Sequence, residues 1–571
     1  MTMKTTASRV ALLTCAALFL GTAPALAHDA GASRPSELFE PGAAYVGQDV
    51  DTSATRPALI EGLGEYGLPV TTAEPLARAY FNQGVGMLWG FNHAEAVRAF
   101  RAAQEIDPTC AMCFWGEAYA LGPNINDGMR QAAVERAWYA ASLARILATT
   151  EKERALAEAM AARYAPGEDR AALNEAFADG MTAVSQRWPD DPDVLVVRAD
   201  AVMNLQPWDY WEADGRTPKG RAGEIVEALE RAMALSPKHP AALHLYIHAV
   251  EASADPGRAE EAADRLRDLA PAAGHLTHMP AHIYMRIGRH ADSIAVNEAA
   301  IAADERYLAE AGAEASDVYR FGYYPHNVHF KLVSAQMAGL AEKGIEAARK
   351  LAGITSDEVS TEVAWVQAIQ TAPYTAHAQL ADPEATLALP PPAEDLPFVA
   401  GFRHYARGVA HAARGDLAAA EAERQAIAAL IETTDLSGLE AQYLPASDLL
   451  AIAEAVVAAR IARAEGDAEE ALRLLEEAIA LEDGISYMEP PYWYYPVRQT
   501  LGAVLLEQDR ADEAAEAFRA ALEQFPDNGW ALWGLWQAEQ ARGDAEAASQ
   551  AERAFRAAWL GDEGMPTLER L

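Results

Sequence analysis

One short pattern recurs along the chain and narrows what it can fold into more than any other feature. A polar turn leads into an alanine-rich amphipathic stretch that carries a large apolar residue and closes near a proline or glycine. It reads Asn92-His93-Ala94-Glu95-Ala96-Val97-Arg98-Ala99-Phe100-Arg101-Ala102-Ala103 before Asp107-Pro108. It returns as Gly466-Asp467-Ala468-Glu469-Glu470-Ala471 with Leu475 and Ala478, and as Ala511-Asp512-Glu513-Ala514 with Phe518, Ala521 and Pro526. A last copy begins Gly543-Asp544-Ala545-Glu546-Ala547-Ala548. Small alanines let helices approach, the phenylalanine fills the groove between them, and proline stops the helix. At 571 residues the chain is too long for one compact core, and a stack of such units resolves that difficulty. No sustained alternation of Val, Ile and Thr is present, so an all-α fold is expected.

These hairpins resemble tetratricopeptide repeats, whose period is about 34 residues. The resemblance covers most of the chain beyond residue 72 and implies a helical-hairpin solenoid with a concave groove. It specifies fold and not function, because such solenoids serve many roles. Residues 28–72, rich in Pro, Gly, Ala and Thr, read as an extended N-terminal arm, followed by N-terminal repeats over 73–203. An aromatic insertion at 204–220 contains Pro207-Trp208-Asp209-Tyr210-Trp211, and central repeats occupy 221–380. Residues 381–397, with Pro390-Pro391-Pro392, read as a linker to C-terminal repeats at 398–571.

Residues 1–27 read as a secretory signal. Lys4 and Arg9 are basic, Val10 to Leu20 is apolar but too short for a membrane span, and Ala25-Leu26-Ala27 is a cleavage site. A periplasmic or secreted protein without a transmembrane segment is expected. The formal net charge of −38 repels phosphate backbones and speaks against nucleic acid as a ligand. Beyond the leader only Cys110 and Cys113 remain. In an oxidising compartment this C-x-x-C pair suits a structural disulfide first, then a metal pair, then a redox pair. Phe114 follows where c-type haem attachment needs His, and no nucleotide-binding loop is present, so neither haem nor nucleotide is expected.

The histidines point to function. Seven of the 14 fall in three groups: His244 and His248; His275, His278 and His282; His326 and His329. Spacings of three and four place each group on one helix face. Repeats can be registered from Pro237, Gly288 and Gly339, with starts near Pro240, Gly274 and Pro325. The histidines then take seven of the nine first-helix positions that, by the family resemblance, line the groove; Ala241 and Val333 are the exceptions. The next repeat carries Ala368, Thr371 and Thr375 there, so the cluster ends. Neighbouring helices pack about 8–10 Å apart, close enough for imidazoles to converge on an ion. Such a donor set suits copper or zinc, with iron behind them. Glu251, Tyr284, Arg286, Tyr323 and Tyr324 are near enough in sequence to support the ligands or touch a substrate. One ion, two ions, or a metal-free pocket for a small molecule or peptide all remain open.

Cys110 to Asn126, Glu489 to Pro496, His278-Met279-Pro280-Ala281-His282 and Tyr324 to His329 resemble a subgroup of exported bacterial tetratricopeptide proteins with a His-rich central region. That resemblance implies the fold and the groove and carries no activity. Serine-hydrolase, P-loop, Rossmann and H-E-x-x-H patterns are missing. Three roles stand: a metal-binding solenoid acting on a small molecule, an adaptor for a peptide or protein partner, and metal storage or delivery. Whether the chain is an enzyme, and its oligomeric state, are not written in these motifs.

Overall fold

The structure, a computed structural model, describes residues 56–167 and 169–571. The leader and the first part of the arm lie outside the described residues. The rest folds as an all-α array of helical hairpins. Among the described residues the only extended pairing is a single bridge between Trp211 and Pro218.

Four hairpins form the N-terminal side. They pair α1 (Pro75–Trp89) with α2 (His93–Ile106), α3 (Ala111–Leu121) with α4 (Val134–Leu147), α5 (Glu151–Ala162) with α6 (Arg170–Arg187), and α7 (Pro192–Met203) with α8 (Ala222–Leu235). The centre follows with α9 (Pro240–Val250) and α10 (Glu260–Leu266). A first helix broken into α11 (Gly274–His278) and α12 (Pro280–Arg286) then pairs with α13 (His290–Ala311), and α14 (Tyr324–Met337) pairs with α15 (Ala341–Ile354). Short helices α16 (Asp357–Glu362), α17 (Ala364–Ile369), α18 (Ala372–Leu380) and α19 (Pro383–Leu387) lead to the C-terminal side. There α20 (Pro397–Ala413) pairs with α21 (Leu417–Thr433) and, after α22 (Ser437–Glu440), α23 (Ala446–Glu465) with α24 (Ala468–Glu482). The array ends with α25 (Val497–Glu507) against α26 (Ala511–Gln524) and α27 (Gly529–Arg542) against α28 (Ala545–Ala558).

The recurring pattern has a direct structural meaning. The polar turn residue is the helix cap: Asn92, Asp467 and Asp544 each accept a backbone N–H from three residues on. Phe100 is fully buried between Gly84 on α1 and Gly116 on α3, and a Cβ at Gly116 would lie 2.4 Å from its ring. Phe518 stands in the same way between Gly502 and Gly534.

Both flanks fold back on the centre. From the N-terminal side, Gly62 accepts the Ala272 N–H, and Tyr66 bonds both Asp193 and His239. The described part of the arm is therefore pinned to the repeats. From the C-terminal side, the Trp530 indole donates to the Gln336 carbonyl at 2.8 Å and the Leu560 N–H to Ala338 at 2.9 Å. The stretch read as a linker carries helix α19 capped by Asp382. No described helix is long and apolar enough to cross a membrane.

Candidate metal centre

Three consecutive first helices carry the histidine groups, and their inner faces meet. His244 and His248 stand one turn apart on α9. His275 and His278 lie on α11, His282 on α12, and His326 and His329 near the start of α14. Pro280 has no N–H, so the helix breaks between α11 and α12 and resumes with His282 donating to Met279 at 3.2 Å.

Six of the seven imidazoles gather into two triads. His244, His248 and His275 form one, and His278, His282 and His326 the other; within each, one nitrogen per ring lies within 4.8 Å of the others. In the first triad the Nε2 atoms of His244 and His275 are 3.2 Å apart, and in the second those of His278 and His282 are 2.8 Å apart. Nitrogens held by one tetrahedral ion at about 2.0–2.1 Å would stand about 3.3 Å from each other. Each triad has its own aromatic platform. Phe91 lies 4.6, 5.8 and 5.1 Å from the rings of His244, His248 and His275. Phe330 lies 4.7, 4.7 and 4.9 Å from those of His278, His282 and His326. Phe91 sits in the α1–α2 turn at φ 54°, a left-handed backbone that a bulky side chain adopts only where its surroundings hold it.

Three of the outward nitrogens are held too, those of His248, His278 and His282. His278 Nδ1 lies 2.6 Å from Asn297 Oδ1, and Asn297 is oriented by its own Nδ2 donating to the Ser293 carbonyl at 2.8 Å. Glu251 joins the triads: its two oxygens lie 2.7 Å from His248 Nδ1 and 2.6 Å from His282 Nδ1. A ligand histidine with its second nitrogen on a carboxylate or carbonyl is the usual way a ring is oriented toward a metal. Tyr487, from the loop between α24 and α25, donates its hydroxyl to Glu251 at 2.9 Å. Arg286 donates to the Glu251 and Ser253 carbonyls, both at 3.1 Å, and lies over the Tyr487 ring.

Burial sets the protonation of this cluster. It lowers His248 and His278 to about 3 and pulls His244, His275, His282 and His326 well below the usual range. Neutral imidazoles are the form that binds metal. Burial pushes the Glu251 carboxyl up, against the hydrogen bond from Tyr487. The Nε2 of His248 and the Nδ1 atoms of His244 and His275 are buried without a hydrogen-bond partner. A cavity of about 120 Å³ adjoins both triads, walled by His248, His275, His282 and His326 with Tyr323, Trp208, Trp365 and Tyr487.

The other candidates are placed as follows. Tyr323 packs on His275 at 4.8 Å and accepts from Asn126 at 3.2 Å, at the cavity wall. Tyr284 donates to Asp264 at 2.7 Å under Arg289, and Tyr324 donates to Glu305 at 2.8 Å; these two hydroxyls face away from the triads. His329 packs on Tyr494 at 5.4 Å with a buried, unpartnered Nε2, outside both triads. Cys110 and Cys113 are joined by a disulfide at the start of α3. The aromatic insertion reaches the site, with Trp208 edge-on to His248 at 5.1 Å. Phe91, Trp208, Asn297, Phe330 and Tyr487 were not among the sequence candidates. Phe330 carried a local signal, one helical turn after His326, and Trp208 stood in the aromatic insertion; the others reach the site through tertiary contacts.

No family model matches the chain, and no curated protein matches it. Among solved structures, a human IFIT1 dimer with m7Gppp-AAAA is similar at 13% identity and a TM-score of 0.29, over 86% of this chain and 91% of that one. The yeast Tom70 structure is similar at 14% identity and a TM-score of 0.24, over 84% and 90%. The P58(IPK) TPR domain is similar at 15% identity and a TM-score of 0.21, over 73% and 95%. These likenesses are too slight to carry an argument about the site, which stands on its own geometry.

Proposed function

We propose that this tetratricopeptide-type array is an exported protein, periplasmic or secreted, whose central chamber binds two transition-metal ions, one at each imidazole triad. One observation carries the reading: two sets of three neutral imidazoles converge, five of the six buried, with the outward nitrogens of His248, His278 and His282 steered by Glu251 and Asn297. Three nitrogen donors with a neighbouring cavity suit zinc or copper, and iron ranks behind them. Three protein ligands leave a fourth position for water or a small substrate, the arrangement of catalytic rather than closed structural sites. That favours chemistry on a small molecule over storage. The inner face that would carry a peptide in an open array is occupied here by Phe91, Trp208 and Tyr487, which favours a small occupant over an extended partner.

Elemental analysis of protein purified without a histidine tag tests this. About two equivalents of metal are expected, one per three-nitrogen set. Replacing His278 and His282 with Ala should remove one ion, and replacing His244 and His275 the other. Full occupancy in either double variant would end the assignment. A protein partner that survives chelation in pull-downs would favour the adaptor role instead.

A further inference from the structure

A second cavity lies behind the first, and its chemistry is different. It measures about 440 Å³ and is bounded by α2, α3, the α3–α4 loop and the segment before α14. Phe91 and Tyr323 form its partition with the metal side: Phe91 lines this cavity while packing on the first triad, and Tyr323 lines both cavities. Its volume falls in the range of small-molecule sites, about 300–1,000 Å³, which the space beside the histidines does not reach.

Acidic residues outnumber basic ones 84 to 46 in this chain, yet Arg101, Arg130 and Arg136 line this cavity against Asp127 alone. Glu117, fully buried behind the wall, takes bonds from Arg101 at 2.7 Å and from Arg136 at 2.7 and 2.6 Å. Set against Asp127 and Glu117, the three guanidiniums leave one net positive charge. Arg101 keeps a buried Nη1 with no hydrogen-bond partner. Asn124 lines the same cavity: its Oδ1 accepts the N–H groups of Asn126 at 2.7 Å and Asp127 at 2.9 Å, and its Nδ2 lies 3.4 Å from His93 Nε2. Apolar lining comes from Val97, Leu121, Val318 and the ring of Phe91.

We infer that this cavity is a binding site for a small organic monocarboxylate, its acid group on the arginine side and its apolar body against Phe91 and Tyr323. Surplus guanidinium charge calls for an anion, guanidinium favours a planar carboxylate, and a single surplus charge suits a monoanion rather than a phosphate dianion. The inference does not depend on metal at the triads.

Calorimetry on the full chain with acetate, hexanoate and phenylacetate, each beside its amide, and with inorganic phosphate is the test. Hexanoate or phenylacetate should bind at least about tenfold tighter than its amide, since the amide lacks the charge. Arg130→Gln should weaken that binding about tenfold, and Ala132→Trp, at an exposed lining position, should block it sterically. Metal content should stay unchanged in both variants, which separates this site from the metal centre. The inference is overturned if no carboxylate outbinds its amide, if phosphate binds as well as phenylacetate, or if folded Arg130→Gln and Ala132→Trp proteins bind phenylacetate like the parent.

Discussion

Glu251 is the residue on which the two triads depend together. With its carboxylate ionised it accepts from His248 and His282 at once, so both rings present a lone pair at Nε2. Glutamine fills the same space but offers one acceptor and one donor. The ring facing the amide N–H₂ must then accept at Nδ1, which places its proton on Nε2 and removes it as a ligand. Glu251→Gln should therefore weaken metal binding at one triad by about 10- to 100-fold while leaving helicity intact. Metal titration beside circular dichroism checks this, and unchanged affinity at both ions would count against Glu251 as an orienting group. At this scale the grouping of the triad histidines was legible, because spacings of three and four on a helix are local. Their supports were less so: Asn297 reaches His278 from the paired helix, and Tyr487 lies 236 positions from Glu251. His329 shows the opposite limit. Its spacing from His326 puts it on the same helix, but its ring turns to Tyr494.

Among the elements, the repeat is built around a phenylalanine wedged between two glycines. Gly84 and Gly116 flank Phe100, and Gly502 and Gly534 flank Phe518, each at a separation of 16 residues. That equal spacing is visible in the sequence, but it reads as a contact only when the hairpins stack. A methyl at Gly116 or Gly534 would press on the ring face, and a packed core has no room to shift it cheaply. Gly116→Ala and Gly534→Ala should each cost about 1–3 kcal/mol in urea unfolding. Pairing Gly116→Ala with Phe100→Leu should recover part of that loss, because residues in contact do not act independently. Additive losses would show that the wedge is not the source of the strain. Two other elements departed from their local reading. Pro280 splits what spacing alone suggests is one first helix, and Asp382 caps a short helix inside the proline-rich stretch.

Across the whole molecule, the array bends until both flanks close over its own centre. Trp530 on Gln336, Leu560 on Ala338 and His290 on Pro526 dock the C-terminal repeats. None of these contacts joins near neighbours in sequence, so no period or motif announces them. The closure ties the chamber to its cover through one chain of bonds, from His248 and His282 to Glu251 and on to the Tyr487 hydroxyl. An ion on the histidines favours the ionised carboxylate, and a hydrogen bond to a charged acceptor contributes about 1.5–3 kcal/mol against about 1 for a neutral one. Metal should therefore hold the loop at 483–496 more tightly, and by reciprocity the closed loop should hold metal more tightly. Hydrogen exchange in that loop should slow several-fold on metal loading. Tyr487→Phe should erase the slowing while retaining both ions, because the phenol touches the carboxylate and not the imidazoles. Equal exchange rates in loaded and metal-free protein would mean that the cover does not sense the site.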